Sequence, residues 1–135
     1  MTKTPATILV IDDDPDFRLA VTAILASAGH KVIAASGPEE GKARLLADRP
    51  DLVLLDIMMD SLFDGYALCH AVKTSEEFAA ARETPILFVS AVKDIAGARF
   101  GFGEGGEGLS APDDYLDKPV KPEDLLARVE RFLAK

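Results

Sequence analysis

The sequence predicts an α/β fold in which helices cover both faces of a parallel sheet. Short aliphatic runs alternate with amphipathic stretches along all 135 residues. Within the aliphatic runs the apolar residues are consecutive rather than alternating, which is typical of strands buried on both faces. This alternation favours right-handed βαβ units and a doubly wound sheet. The length suits a single domain over residues 1–135.

Five strands are predicted, each short and rich in β-branched residues or leucine. Because parallel strands in such a sheet all point the same way, their carboxyl ends line one edge, where a functional crevice is expected. The predicted strands are ILVI (8–11), KVIAA (31–35), DLVLL (51–55), PILFVS (85–90) and, more weakly, DYLD (114–117).

Helices are predicted between the strands from capping residues and apolar spacing. Asp14 followed by Pro15 is a favourable start, because the aspartate can accept a hydrogen bond as N-cap and proline lacks an N–H. Gly29 is expected to end this helix. The other predicted helices begin near Pro38, run from Gly65 to about Thr74, and begin at Pro122. Residues 95–112 contain six glycines and are expected to form an irregular segment.

Composition excludes several classes of function. The net charge of −8 argues against a nucleic-acid-binding surface. No apolar run approaches the roughly 18 residues that a membrane span needs, and the N-terminus MTKTPAT lacks the core of a secretory signal. A single cysteine, Cys69, excludes an internal disulfide. A cytoplasmic protein without membrane insertion is expected.

Polar residues follow four of the five predicted strands. The first strand runs into Asp12 and Asp13, the third ends at Asp56, the fourth at Ser90 and the fifth at Lys118. Clustered carboxylates bind hard divalent cations such as Mg²⁺ or Mn²⁺. A carboxylate so placed can attack a phosphoryl group, whose charge the cation, the ammonium and the hydroxyl would neutralise.

These residues stand in motifs that resemble the response-regulator receiver domains of two-component signalling. The matching stretches are ILVIDDDPD, PDLVLLDIMM, PILFVSA and DDYLDKPVKPEDLLARV, in that order. The resemblance is chemotaxis-regulator-like and covers nearly the whole chain apart from about 95–112. It implies a flavodoxin-like three-layer sandwich with strand order 2-1-3-4-5.

The resemblance also implies which residues form the phosphorylation site. Asp56 would be the phospho-acceptor. Asp13, Asp56 and the backbone carbonyl of Met58 would ligate the metal, and Asp12 would support it. The phosphoryl group would come from a histidine kinase or phosphotransfer protein, so the chain would not be an enzyme beyond self-phosphotransfer and slow autodephosphorylation.

Three further residues receive roles from the same resemblance. Ser90 would hold a phosphoryl oxygen and move on phosphorylation, together with Tyr115 at the position of the switching aromatic. Lys118 would pair with the phosphoryl group, and its bond to Pro119 is expected to be cis. Met58 and Val92, which flank the site two residues after the acceptor and the hydroxyl, are apolar and predict a long-lived phosphoryl group.

The sequence departs from the family pattern in two places. Asp60 replaces the usual proline, in a loop (60–65) that looks one residue longer than usual. The glycine-rich segment 95–112 replaces the usual helix between the fourth and fifth strands, a face that normally dimerises or contacts effectors. The downstream effector therefore stays open, as does a homodimer formed on phosphorylation. A stand-alone receiver with no output domain is expected.

Other interpretations remain beside this one. A receiver-like interaction module that is never phosphorylated would keep the fold. A phosphatase resembling the haloacid dehalogenases would use similar groups, but its nucleophile normally follows the first strand. A flavodoxin-like flavin binder would need phosphate at the first loop, where three aspartates repel it. His30 and His70 are expected to face solvent, and a zinc site at Cys69 and His70 is rejected because adjacent helical residues point about 100° apart.

Overall fold

The computed structural model describes residues 5–56, 63–91 and 113–134. These residues form a parallel five-stranded sheet with helices on both faces. The strand order is β2-β1-β3-β4-β5, which confirms the predicted doubly wound topology. The strands are β1 (Thr7–Ile11), β2 (Lys31–Ala35), β3 (Leu52–Asp56), β4 (Ile86–Ala91) and β5 (Asp114–Lys118).

Three helices begin where they were predicted, and the helix predicted from Gly65 begins two residues earlier, at Phe63. Asp14 is the N-cap of the first helix and accepts a hydrogen bond from the Asp16 amide at 3.0 Å, as predicted. The second helix has Gly37 as its N-cap, and just before it the Ser36 amide and hydroxyl both donate to Glu40, which lowers the Glu40 pKa. The helices are α1 (Pro15–Ser27), α2 (Pro38–Asp48), α3 (Phe63–Thr74) and α4 (Pro122–Leu133).

A 3₁₀ helix, Glu76–Ala81, follows α3 and was not predicted. Its sequence, EEFAAA, has only two buried residues, Phe78 and Ala81, three positions apart. A spacing of three residues matches the three residues per turn of a 3₁₀ helix. Two buried residues are, however, too few to show a periodic pattern in the sequence. The segment is therefore held by packing of Phe78 rather than by a repeating apolar pattern.

The core has two layers, one on each face of the sheet. Alternate strand residues point to opposite faces, so Leu9 and Ile11 of β1 join one layer while Ile8 and Val10 join the other. The first layer includes side chains from α2, α3 and the 3₁₀ helix, and the second includes side chains from α1 and α4. Consecutive apolar residues in the strands are explained by this double burial.

One prediction about exposure is wrong. His30 is 6% exposed, and its Nδ1 accepts a hydrogen bond from the Ala6 amide at 3.2 Å. The residue follows the turn at Gly29, but it lies where the chain enters β2 beside the start of β1. His30 is thus a structural acceptor, whereas His70 is partly buried on α3.

Helix α2 packs closely on the end of β1 at Gly41. A Cβ added there would lie 2.6 Å from Cδ1, 3.1 Å from Cγ1 and 3.2 Å from Cγ2 of Ile11. Overpacking costs about 1–3 kcal/mol, and the better helix propensity of alanine returns about 1. We expect Gly41→Ala to lower the free energy of unfolding by up to about 2 kcal/mol in urea titrations.

Two further variants test that the loss comes from this contact. Gly37→Ala is the steric control, because a Cβ there meets nothing within 4 Å; any loss there reflects the preference of an N-cap for glycine over alanine. Ile11→Val removes the nearest carbon, so the double variant with Gly41→Ala should be less destabilised than the sum of the two single changes. Additive losses would contradict the steric explanation.

Candidate functional site

The carboxyl ends of the strands meet at one edge of the sheet, as the topology requires. Asp12 follows β1, and Asp56 is the last residue of β3. At the other side of the edge, Ser90 in β4 pairs with Asp117 and Ala91 pairs with Lys118, the last residue of β5. The backbone therefore brings four of the predicted site positions to one edge.

Three carboxylates form a compact cluster there. Ligand oxygens of Asp12, Asp13 and Asp56 all lie within 4.8 Å of one another. Asp12 and Asp56 are 1% and 4% exposed, whereas Asp13 is exposed. Like charges at such distances repel one another strongly where water is excluded, so this arrangement calls for a counter-charge.

Lys118 supplies part of that counter-charge. Its Nζ lies 2.9 Å from Asp12 Oδ2, yet the two atoms are not aligned as a hydrogen bond. Asp12 Oδ2 accepts no aligned hydrogen bond within the part of the chain that the structure describes, while Asp12 Oδ1 accepts one from the Asp14 amide at 2.9 Å. Buried carboxylate oxygens rarely lack such a bond.

The cluster fits a hard divalent cation. Magnesium prefers carboxylate oxygens and fills its other positions with water or phosphate oxygens. Lys118 is the counter-charge that the structure places beside Asp12, and the buried Oδ2 of Asp12 has acceptor capacity that its hydrogen bonds do not use. It is the one group of three or more potential metal-ligating residues within 5–56, 63–91 and 113–134. Cys69 and His70 do not belong to it.

Cys69 is not a candidate nucleophile. The side chain is fully buried in α3, and burial raises the pKa of its thiol to about 11. The thiolate is the reactive form of cysteine, so almost none is present near neutral pH. Cys69 is therefore part of the core.

Tyr115 lies in β5 and is partly buried. Its ring contacts Phe88 edge to face, with the centroids 5.8 Å apart and the planes at 82°. This is a favourable aromatic arrangement, and it joins Tyr115 to the core layer on that side of the sheet. The Lys118–Pro119 peptide bond is cis, which confirms that prediction.

Several predicted site features lie outside the described residues. They are the Met58 carbonyl, the apolar Val92, the loop around Asp60 and the segment 95–112. The hydroxyl of Ser90 also lies outside what the structure describes, although the backbone of β4 is placed. Their roles stay predictions.

Sequence reasoning missed two residues at the start of α1. Arg18 donates from Nη1 to the Asp12 carbonyl at 2.7 Å and so ties the acidic loop to the helix. The Phe17 ring lies under Lys118, with Nζ 4.4 Å from the ring centroid. Phe17 also packs against the core layer beneath α1, so its presence in the sequence is explained without the contact to Lys118. The only available signal was that both residues fall one turn after the aspartates.

Comparison with known proteins identifies one family. The model of the response regulator receiver domain matches residues 8–130. RpaA of Synechocystis sp. PCC 6803, named a DNA-binding dual master transcriptional regulator, is 35% identical over 128 residues, which are 95% of this chain and 49% of RpaA. A probable transcriptional regulator ycf27 of Guillardia theta is 32% identical, over 98% of this chain and 47% of its own length. The chain thus spans about half the length of these relatives.

Solved structures give the same result. A putative response regulator from Chloroflexus aurantiacus superposes with a TM-score of 0.79 at 32% identity, covering 98% of this chain and all of that one. The chemotaxis response regulator CheY4 of Vibrio cholerae superposes with a TM-score of 0.77 at 28% identity, covering 96% and 100%. Among the helices of the described ranges, none has the length and apolar character to cross a bilayer.

Proposed function

Since the chain belongs to the response regulator receiver domain family, we propose that Asp56 accepts a phosphoryl group in a reaction that depends on a divalent cation. The observation that carries this proposal is the cluster of Asp12, Asp13 and Asp56 ligand oxygens within 4.8 Å, with Lys118 beside it. The donor is the phosphohistidine of a histidine kinase or phosphotransfer protein. Residues 1–135 act as one receiver domain.

Four groups would hold the cation. They are the carboxylates of Asp12, Asp13 and Asp56 and, by family resemblance, the Met58 carbonyl. Mg²⁺ or Mn²⁺ bound there would neutralise the clustered carboxylates and charge on the phosphoryl oxygens. Asp12 and Asp56 are both buried, so both would gain from this neutralisation.

The transfer itself needs little from the protein beyond position and charge. A carboxylate oxygen of Asp56 attacks phosphorus, and the phosphorus–nitrogen bond of phosphohistidine breaks. The electron pair stays on the imidazole, which takes up a proton. Lys118 and the Ser90 hydroxyl stabilise the phosphoryl oxygens. Slow hydrolysis later returns phosphate. Because Met58 and Val92, two residues after the acceptor and the hydroxyl in sequence, are apolar, we expect the acyl phosphate to last minutes or more.

The output is a shift between two conformations. Phosphorylation attracts Ser90 toward the phosphoryl group, and Tyr115 moves with it. Tyr115 is suited to this role because it is only partly buried and packs by its edge on Phe88. The protein surface altered by this shift then binds a downstream effector. The effector is a separate partner or a further domain, as in relatives of twice this length.

The proposal is tested by incubating the protein with acetyl phosphate and Mg²⁺ and measuring the intact mass. We expect the mass to increase by one phosphoryl group. The increase should not occur when the metal is chelated before acetyl phosphate is added, or in the Asp56→Asn variant. Asp48→Asn is the matched control. Asp48 lies on α2 and forms an ion pair with Arg44, so its replacement should leave the mass gain unchanged.

Two outcomes would contradict the proposal. No mass gain in a folded protein that binds the metal would favour the unphosphorylated interaction module. Steady turnover of a generic phosphomonoester, without a stable adduct on Asp56, would favour a phosphatase. Loss of the adduct within seconds, with no partner phosphatase present, would sink only the predicted lifetime.

A further inference from the structure

Lys118 is held by two groups of different chemistry. On one side its Nζ lies 2.9 Å from Asp12 Oδ2, and on the other it lies 4.4 Å from the centroid of the Phe17 ring. Lys118 and Phe17 also line one groove of about 460 Å³ beside α1. The ammonium therefore sits between the acidic cluster and an aromatic face.

We propose that Phe17 is a positioning residue for Lys118, holding its ammonium at the acidic cluster through a cation–π contact; the inference rests on the proposed phosphorylation of Asp56. A lysine ammonium is attracted to the face of an aromatic ring within about 6 Å. The observed 4.4 Å is well inside that range. Phe17 contacts the Lys118 ammonium, so its proposed effect on the reaction is exerted through the lysine.

An aromatic partner has a specific advantage at this site. Lysine carries its charge on a flexible four-carbon stem, and a carboxylate partner alone would hold it by competing for an oxygen that a cation also needs. The Phe17 ring is neutral and offers no ligand atom. The ring can restrict the ammonium without using an oxygen of Asp12. Lys118 therefore stays at the site whether or not a cation is bound to the carboxylates.

Phe17 is itself well fixed. It lies in the first turn of α1 and packs against the core layer that α1 and α4 share. Its neighbour Arg18 holds the Asp12 carbonyl. The start of α1 therefore holds the acidic loop through Arg18 and Lys118 through Phe17.

The first test compares substitutions of the ring. Phe17→Leu should slow phosphorylation by acetyl phosphate about 3- to 10-fold, the range that a partly desolvated cation–π contact supplies, and Phe17→Tyr should restore most of the rate. Phe132→Leu is the control, because Phe132 is a half-buried phenylalanine in the same core layer whose ring faces Arg131. It should lose similar stability while keeping the wild-type rate.

The second test changes the electrons of the ring and not its shape. Site-specific mono-, di- and trifluorinated phenylalanine at position 17 should lower the rate in steps, because fluorine withdraws the charge that attracts the ammonium. In a Lys118→Met background the rate that remains should not respond to fluorination. In the metal-free wild type, the Lys118 ε-methylene protons should resonate upfield under the ring current, and this shift should vanish in Phe17→Leu.

Failures of the two proposals can be told apart. Absence of the upfield shift, or equal rates across the fluorinated series, overturns the role of Phe17 even if Asp56 is phosphorylated. An unphosphorylated wild type that still shows the shift overturns the proposed function and leaves the contact intact.

Discussion

Magnesium at about a hundred times its dissociation constant is expected to stabilise the protein by about 2.7 kcal/mol. For a domain of this size, that corresponds to a rise of about 10 °C in the melting temperature. The physical reason is the acidic cluster, in which ligand oxygens of three carboxylates lie within 4.8 Å of one another beside Lys118. A cation that binds only the folded arrangement removes this repulsion. Thermal melts of chelator-treated protein over a magnesium series measure the effect.

Asp13→Asn is the variant that should remove the response. Asp13 is the exposed member of the cluster, so its replacement disturbs packing least and should leave the metal-free melting temperature unchanged or higher, because one like charge is lost. Asp16→Asn is the control, because Asp16 is an exposed residue of the first turn of α1 that lies outside the cluster. An equal magnesium response in Asp13→Asn, or none in the wild type, would refute the metal site.

Phe78→Ala is expected to lower the free energy of unfolding by about 3–5 kcal/mol, the usual loss for a fully buried aromatic side chain. Phe78 is 1% exposed and packs in the core layer with Leu68 and Val72 of α3. Because the 3₁₀ helix inserts no other large side chain, the cavity cannot be refilled locally. Urea denaturation at constant magnesium measures the loss, which is a large share of the total stability of a small domain.

Leu19→Ala is the matched control for this substitution. Leu19 is 72% exposed on α1, so its truncation should change stability by no more than about 0.5 kcal/mol. If Phe78→Ala changed the free energy of unfolding as little as Leu19→Ala, the 3₁₀ helix would have to fill the cavity left by Phe78 with no loss of stability. That result would contradict the packing described for this face of the sheet.

The sequence predicted the sheet well because its signal is physical and local. Strands such as β1 and β3 are buried on both faces, so consecutive residues such as Ile8–Ile11 and Leu52–Leu55 must be apolar, and few other structures impose that pattern. The order of strands was not deducible from periodicity and came from the family resemblance. His30 was misjudged because its burial arises from the neighbouring start of β1, which no local pattern records.

The site was predictable to the extent that backbone topology places it. Asp12 and Asp56 meet because parallel strands end at one edge, so their positions in the sequence sufficed. The contacts of Phe17 and Arg18 depend instead on how α1 crosses the loop and on side-chain reach. Such contacts leave no repeating pattern in the sequence. Phe17, for example, is already explained by its packing against the core beneath α1.

The ion pair between Asp12 and Lys118 joins the first loop of the chain to the last strand. During synthesis the acidic loop leaves the ribosome long before its basic partner is made. A nascent chain that ends before β5 therefore holds the three aspartates without Lys118, and contacts so distant in sequence form late because closing the intervening loop is costly. Through that interval Lys118 cannot contribute to the charge balance of the acids, and the site is completed only when β5 and α4 dock.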